Sequence, residues 1–102
     1  MSVKKQYLKT KPVVKVSFKL PKEIGKEHKK ASVVGDFNDW NHKKHPMKKM
    51  KDGSFSLAVD LEKDKDYQFR YLLDGKIWTN EDDADKQVTT HFGDSENSVL
   101  TL

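Results

Sequence analysis

The sequence predicts an all-β sandwich of about seven strands. Residues 14–20 alternate apolar and polar side chains, as the strand of a half-buried sheet does. The pairs Asp52-Gly53 and Asp74-Gly75 are tight-turn signals at hairpin spacing, and no segment has a convincing amphipathic helical pattern. Short strands joined by such turns are typical of sandwiches, in which only alternate residues need be apolar. That economy suits a chain with 34% hydrophobic and 35% charged residues.

The elements follow in chain order. Residues 1–10 are polar and predict a flexible lead-in, whereas 11–102 predict one domain. The charged stretch 22–30 is expected to be a connection with at most one helical turn, and the acidic run 80–85 a solvated loop. Strands are predicted at 14–20, 31–35, 47–51, 55–59, 67–73, 76–79 and 97–102.

Composition excludes several classes of protein. At 102 residues the chain has room for one core, and without cysteine it forms neither disulfides nor thiolate metal sites. Lysines interrupt the first 15 residues, so we expect no signal peptide, no membrane span and a cytoplasmic location.

The charge distribution is polarised. Residues 1–51 carry 15 lysines and four acidic residues, whereas residues 52–102 carry five basic and twelve acidic ones. A basic half raises the possibility of nucleic-acid binding. Only one of the 20 basic residues is arginine, the usual base-reading side chain, so we expect no specific nucleic-acid partner.

Two tryptophans are the most informative residues. Trp40 ends the segment 33–40 and Trp78 follows the Asp74-Gly75 turn, so each ring lies beside turn residues. Flat rings with polar neighbours can stack on the apolar faces of sugars, which indicates carbohydrate binding. The alternative is that both rings cap the ends of the core, because tryptophan is commonly mostly buried.

Other chemistries have weaker signals. His42 and His45 have no nearby carboxylate or cysteine to complete a metal site. The run 36–47 begins like a calcium loop but lacks the required glycine and the final glutamate. No catalytic arrangement is evident, and a chain of this size has no room for a cleft-bearing glycosidase barrel. We therefore expect a protein that is not an enzyme and that uses no metal or cofactor.

Five segments, taken in order, resemble the signatures of one family. The chain is similar from about residue 13 to its end to the isoamylase N-terminal, or early-set, domain. This family is also called the family 48 carbohydrate-binding module, and the glycogen-binding domain of the AMP-activated protein kinase β-subunit belongs to it. The segments are Gly35–Trp40, Asp52–Phe55, Tyr67–Gly75, Phe92-Gly93 and Asn97–Val99.

The resemblance implies an immunoglobulin-like sandwich that binds α-1,4-linked glucan, such as glycogen, starch or a maltooligosaccharide, without catalysis. It implies that Trp40 and Trp78 stack on glucose, that Arg70 and Asn97 contact sugar hydroxyls, and that Phe92 presses into the ring of sugars. The second function class is a protein-interaction or packing module, which docks on a glycogen- or starch-metabolising enzyme and has little sugar affinity of its own.

Overall fold

The computed structural model describes residues 1–89 and 95–102 and folds them into two antiparallel sheets, which confirms the predicted all-β sandwich. This part of the chain contains a four-residue helix, α1 (Lys22–Gly25), a 3-10 turn (Asp36–Asn38) and nine strands. The strands are β1 Ser2–Tyr7, β2 Val13–Leu20, β3 Ala31–Gly35, β4 Lys48–Lys49, β5 Phe55–Glu62, β6 Asp66–Leu73, β7 Ile77–Thr79, β8 Lys86–Thr89 and β9 Glu96–Thr101. Seven of them match the predicted strands, and β1 and β8 are additional.

Strand β6 lies at the centre of the sheet that carries the candidate site. The first sheet has the order β1-β2-β5-β4, and the second has the order β3-β6-β9-β8. Strand β3 pairs with one side of β6, while β9 pairs with the first half of the other side and β7 with its second half. Three neighbouring strands therefore hold the side chains of β6 in place.

Aromatic rings fill the space between the two sheets. Phe18 on β2 and Phe69 on β6 meet edge to face with ring centroids 5.3 Å apart, and Phe69 meets Tyr71 in the same way at 5.8 Å. All three side chains are buried. The alternation of β2 and β6 was thus predicted with the correct inward face.

The acidic run 80–85 is only partly solvated, which corrects the sequence prediction. The side chain of Glu81 is completely buried. The Tyr71 hydroxyl donates to its Oε1 at 2.6 Å, and the Asp83 N–H donates to its Oε2 at 2.9 Å. Burial raises the pKa of Glu81 and also that of Tyr71. The loop is therefore anchored to the core by a satisfied buried hydrogen-bond network.

Residues 2–7 form the edge strand β1, so the prediction of a flexible lead-in is wrong for these residues. Lys5 lies opposite Val16 and points between the sheets, where its Nζ donates to Asp85 Oδ2 at 2.6 Å and to the Thr101 carbonyl at 3.1 Å. Although burial alone would raise the pKa of Asp85, the hydrogen bonds from Lys5 and from the Thr101 N–H lower it. The assignment of 11–102 as one domain stays a prediction.

Candidate functional site

The outer face of the second sheet brings together four of the five predicted site residues. Gln68 and Arg70 alternate with the buried side chains of β6 and so point away from the core. Trp78 lies directly opposite Leu72, the next outward position of β6, and Asn97 shares the outward side of β9. The fifth residue, Phe92, lies outside the described residues.

The turn that follows β3 presents Trp40 to solvent. Asn38 is buried, its Oδ1 accepts from the Gly35 N–H at 3.1 Å, and its Nδ2 donates to the Val33 carbonyl at 3.0 Å. The two residues that follow the buried Asn38, Asp39 and Trp40, both have left-handed backbone conformations, with φ of 56° and 59°. Such a conformation is rare for tryptophan and costs about 1–3 kcal/mol per residue. The buried amide holds the turn in this geometry, which leaves the Trp40 side chain 37% exposed.

Gly35 allows this turn to leave the sheet beside β6. A Cβ atom at this position would collide with the carbonyl oxygen of Gln68 and lie 2.7 Å from the Cβ of Phe69. The backbone itself is extended, so the requirement is close approach and not a special φ. Close packing against β6 therefore explains why the Gly35–Trp40 segment begins with glycine.

Asp36 connects Trp40 to the centre of the sheet. Its Oδ1 accepts from the indole Nε1 of Trp40 at 3.0 Å, and its Oδ2 accepts from the Gln68 N–H at 2.8 Å. One carboxylate thus orients the ring relative to β6. Sequence reasoning missed this role because nothing in the spacing of the segment indicates which backbone N–H the carboxylate reaches.

A polar network occupies the outer face beside Trp40. Arg70 Nε donates to Asn97 Oδ1 at 2.6 Å, and its Nη2 donates to Ser95 Oγ at 3.0 Å. Asn97 Nδ2 in turn donates to Gln68 Oε1 at 2.9 Å. These contacts fix the guanidinium and amide planes in advance of any ligand, which lowers the entropy cost of binding. Gln68 and Ser95 are further members that the sequence did not single out.

The hairpin that carries Trp78 is anchored at its turn. The Asp74 carboxylate accepts from the backbone N–H groups of Lys29 and Lys30 at 2.7 and 3.1 Å, and it lies 2.8 Å from His28 Nδ1. The hydrogen bonds from His28 and Lys29 lower the pKa of Asp74 to about 2. Trp78 itself is 47% exposed. Neither tryptophan belongs to the buried core, in contrast to the capping alternative.

The outward positions of β6 arrange these groups in a row. Gln68 adjoins the Trp40 turn through Asp36, Arg70 follows at the centre, and Leu72 lies beside Trp78. Two strand residues advance the chain by about 6.6 Å, so the two ends of the row are about 13 Å apart. The arrangement is a row with an aromatic ring at each end and hydrogen-bonding groups between them.

His45 supports the Trp40 turn in its neutral form. Its Nδ1 lies 2.8 Å from the Asn38 Nδ2, which can only donate, so Nδ1 accepts and the ring proton is on Nε2. Burial lowers the pKa of His45, and the positive charge of Lys44 lowers it further. No group of three or more His, Cys, Asp or Glu side chains in the described ranges is placed to hold a metal ion.

We expect the stability of the fold to depend on pH through His45. Because its folded pKa is below the ordinary value of about 6.5, the unfolded chain gains a proton first as the pH falls. The free energy of unfolding should therefore decrease from pH 7.5 to pH 5.5. His45→Gln keeps an acceptor for Asn38 but does not titrate, so urea unfolding should show a smaller pH dependence for this variant.

His42→Gln is the matched control, because His42 is exposed in the same loop. It should keep the pH dependence of the original protein. An unchanged pH dependence in His45→Gln would show that His45 is not the group responsible.

Comparison with known proteins assigns this β-sandwich to a class of glucan-recognition modules. Residues 16–101 match the family described as the glycogen recognition site of AMP-activated protein kinase. The match covers most of the chain, which therefore belongs to this family.

Two curated relatives resemble shorter stretches of the chain. A 1,4-alpha-glucan branching enzyme of Novosphingobium aromaticivorans is 44% identical over 43 residues, which is 40% of this chain and 6% of the enzyme. The branching enzyme of Photobacterium profundum is 44% identical over 39 residues, or 37% of this chain and 5% of the enzyme. The matched stretch is thus a small part of each relative. In the described part of this chain, no helix is long and apolar enough to span a bilayer.

Proposed function

We propose that this protein binds α-1,4-linked glucan without catalysing its conversion. Trp40 and Trp78 stack on the C–H faces of glucose units, and Arg70 and Asn97 donate to or accept from the sugar hydroxyls. The observation that carries the proposal is the row on the outer face, which has an exposed tryptophan at each end and a hydrogen-bonded polar network between them. Phe92 remains part of the predicted site.

The chemistry of the row suits a polymer of glucose. A pyranose ring has an apolar face for an aromatic ring and a rim of hydroxyls for oriented polar groups. By analogy with base stacking, each ring contributes about 1–3 kcal/mol. The two rings lie at opposite ends of the row, so several successive sugars can lie along it. We therefore expect weak to moderate affinity that increases with chain length.

A second candidate is a packing module for a glycogen- or starch-metabolising enzyme. The specific observation that favours it is that the curated relatives are branching enzymes in which the matched stretch is a small part of the chain. In this function the sandwich would contact the enzyme and have little sugar affinity of its own.

Affinity electrophoresis separates the two candidates. We expect the protein to migrate more slowly in gels that contain glycogen or amylopectin, and to migrate unchanged in gels that contain cellulose or xylan. Titration with maltooligosaccharides should change the tryptophan fluorescence, because both tryptophans of the chain belong to the proposed site. Unretarded migration in glycogen and amylopectin would refute glucan binding and favour the packing module.

A further inference from the structure

The outer face of the first sheet, on the opposite side of the sandwich from the two tryptophans, carries a cluster of lysines. In the strand register Lys4 lies opposite Ser17, while Lys19 and Lys48 both lie opposite Ser56. All three lysines are exposed and alternate with inward-facing residues. We call Lys4, Lys19 and Lys48 the lysine face.

Two adjoining depressions shape the lysine face. One, of about 250 Å³, is lined by Lys4, Lys19 and small side chains that include Ser17 and Ala58. The other, of about 500 Å³, lies between Lys19 and the β4–β5 hairpin and is also lined by Lys48, Lys49 and Lys51. Because both depressions include Lys19, they form one continuous positive surface. The small side chains between the lysines allow a partner to approach this surface closely.

Few acidic groups offset this charge. Asp60 and Glu62 lie further along the same face, opposite Lys15 and Val13, and Glu62 is paired with Lys65. Asp52 lines the second depression, where its carboxylate accepts from the Ser54 N–H and hydroxyl. These bonds and the nearby Lys19 lower its pKa and keep it ionised, so it offsets one of the four lysines there. Among the ion pairs of residues 1–89 and 95–102, none involves a lysine of the lysine face.

We propose that the lysine face docks an acidic segment of a partner protein, an activity that goes beyond glucan binding. Lys19 and Lys48 lie two strand spacings apart, about 10 Å, which suits carboxylates spread along a chain better than a single phosphate. Because this surface and the tryptophans lie on opposite sheets, the protein can hold a partner and a glucan at the same time.

The chemistry of the face favours a protein over nucleic acid or membrane. The positive groups are all lysine, whereas readers of DNA bases rely on arginine. No exposed aromatic side chain lines either depression to stack a base, since Phe18 is buried. Met50 is the one large exposed apolar side chain that lines them. A single apolar side chain provides too little apolar surface for insertion into a lipid bilayer.

Fluorescence anisotropy with a labelled ten-residue polyglutamate tests the proposal. The triple variant Lys4→Gln, Lys19→Gln, Lys48→Gln should weaken binding by about tenfold in low salt, since three exposed charge pairs are lost. The matched control replaces Lys9, Lys11 and Lys63 with glutamine. These exposed lysines are at the other end of the first sheet, and their loss changes the net charge equally. The control should bind polyglutamate within about twofold of the original protein.

The outcomes separate this proposal from glucan binding. Retardation in glycogen gels should be the same for both triple variants, because none of the substituted lysines lies on the outer face of the second sheet. Equal loss of polyglutamate binding in the two variants, or no binding at all, would overturn the lysine face as a docking site. The proposal of a protein partner would also be wrong if duplex DNA or phosphatidylserine vesicles bound more tightly than polyglutamate and this binding were lost only in the variant of the lysine face. The ligand of this surface would then be that polyanion.

Discussion

Trp40→Ala and Trp78→Ala are each expected to remove most of the glucan affinity while leaving the protein folded. Loss of one stacking ring should weaken binding by about 1–3 kcal/mol, which corresponds to about 5-fold to about 150-fold in Kd. The side chains are 37% and 47% exposed, so the free energy of unfolding should fall by only about 1 kcal/mol. Isothermal titration with maltoheptaose and urea unfolding of the same preparations measure the two effects.

Tyr7→Ala is the matched control for these variants. Tyr7 is an aromatic residue with 56% exposure, but it lies on the edge strand β1 of the first sheet. Its removal should leave maltoheptaose affinity unchanged. If Trp40→Ala or Trp78→Ala lowered stability severely, the ring would be a structural support and its assignment to the glucan site would be wrong.

Phe69→Ala is expected to have the opposite profile, with a large loss of stability. Its ring is completely buried and meets Phe18 and Tyr71 edge to face, so alanine leaves a cavity in the centre of the core. Removal of a buried phenylalanine costs about 3–5 kcal/mol. Phe69→Leu fills part of the same space and should cost less, which urea unfolding of both variants would show.

Glucan binding provides the second measurement for Phe69. At temperatures where Phe69→Ala remains folded, its maltoheptaose affinity should stay near that of the original protein, because the side chain points away from Arg70 and Trp78. A loss of stability below about 1 kcal/mol would be typical of a surface position and would contradict the role of Phe69 in the core.

The strands with one apolar face could be predicted from sequence, whereas the edge strands β1 and β8 could not. In β2 and β6 every second residue faces the core, and the alternation of apolar and polar residues in the sequence predicts this directly. In β1 the inward position between Val3 and Tyr7 is Lys5, whose ammonium is satisfied there by the Asp85 carboxylate and the Thr101 carbonyl, both at least 80 positions away. A local pattern contains no information about such a distant partner.

The same limit applies to the candidate site. The positions of Trp40 and Trp78 next to turns indicated exposed rings but left the core-capping alternative open, and the family resemblance favoured exposure. The sequence did not indicate that Asp36 orients Trp40, because this depends on the left-handed turn and on a backbone N–H of β6. The sequence also grouped Glu81 with the solvated acidic residues, because nothing local indicates that this loop residue bonds to Tyr71 on β6.

The inward-pointing Lys5 has a consequence for association between molecules. An edge strand offers unpaired N–H and C=O groups to other chains, and an inward charge is one of the devices that prevent such pairing. The family match begins at residue 16, so a shortened form designed from it would lack β1 and the first three residues of β2. It would expose the edge of the rest of β2, which keeps three buried apolar side chains. We therefore expect that β1 protects β2 from pairing with other chains, and that the protein with its N-terminal segment stays monodisperse in concentrated solution.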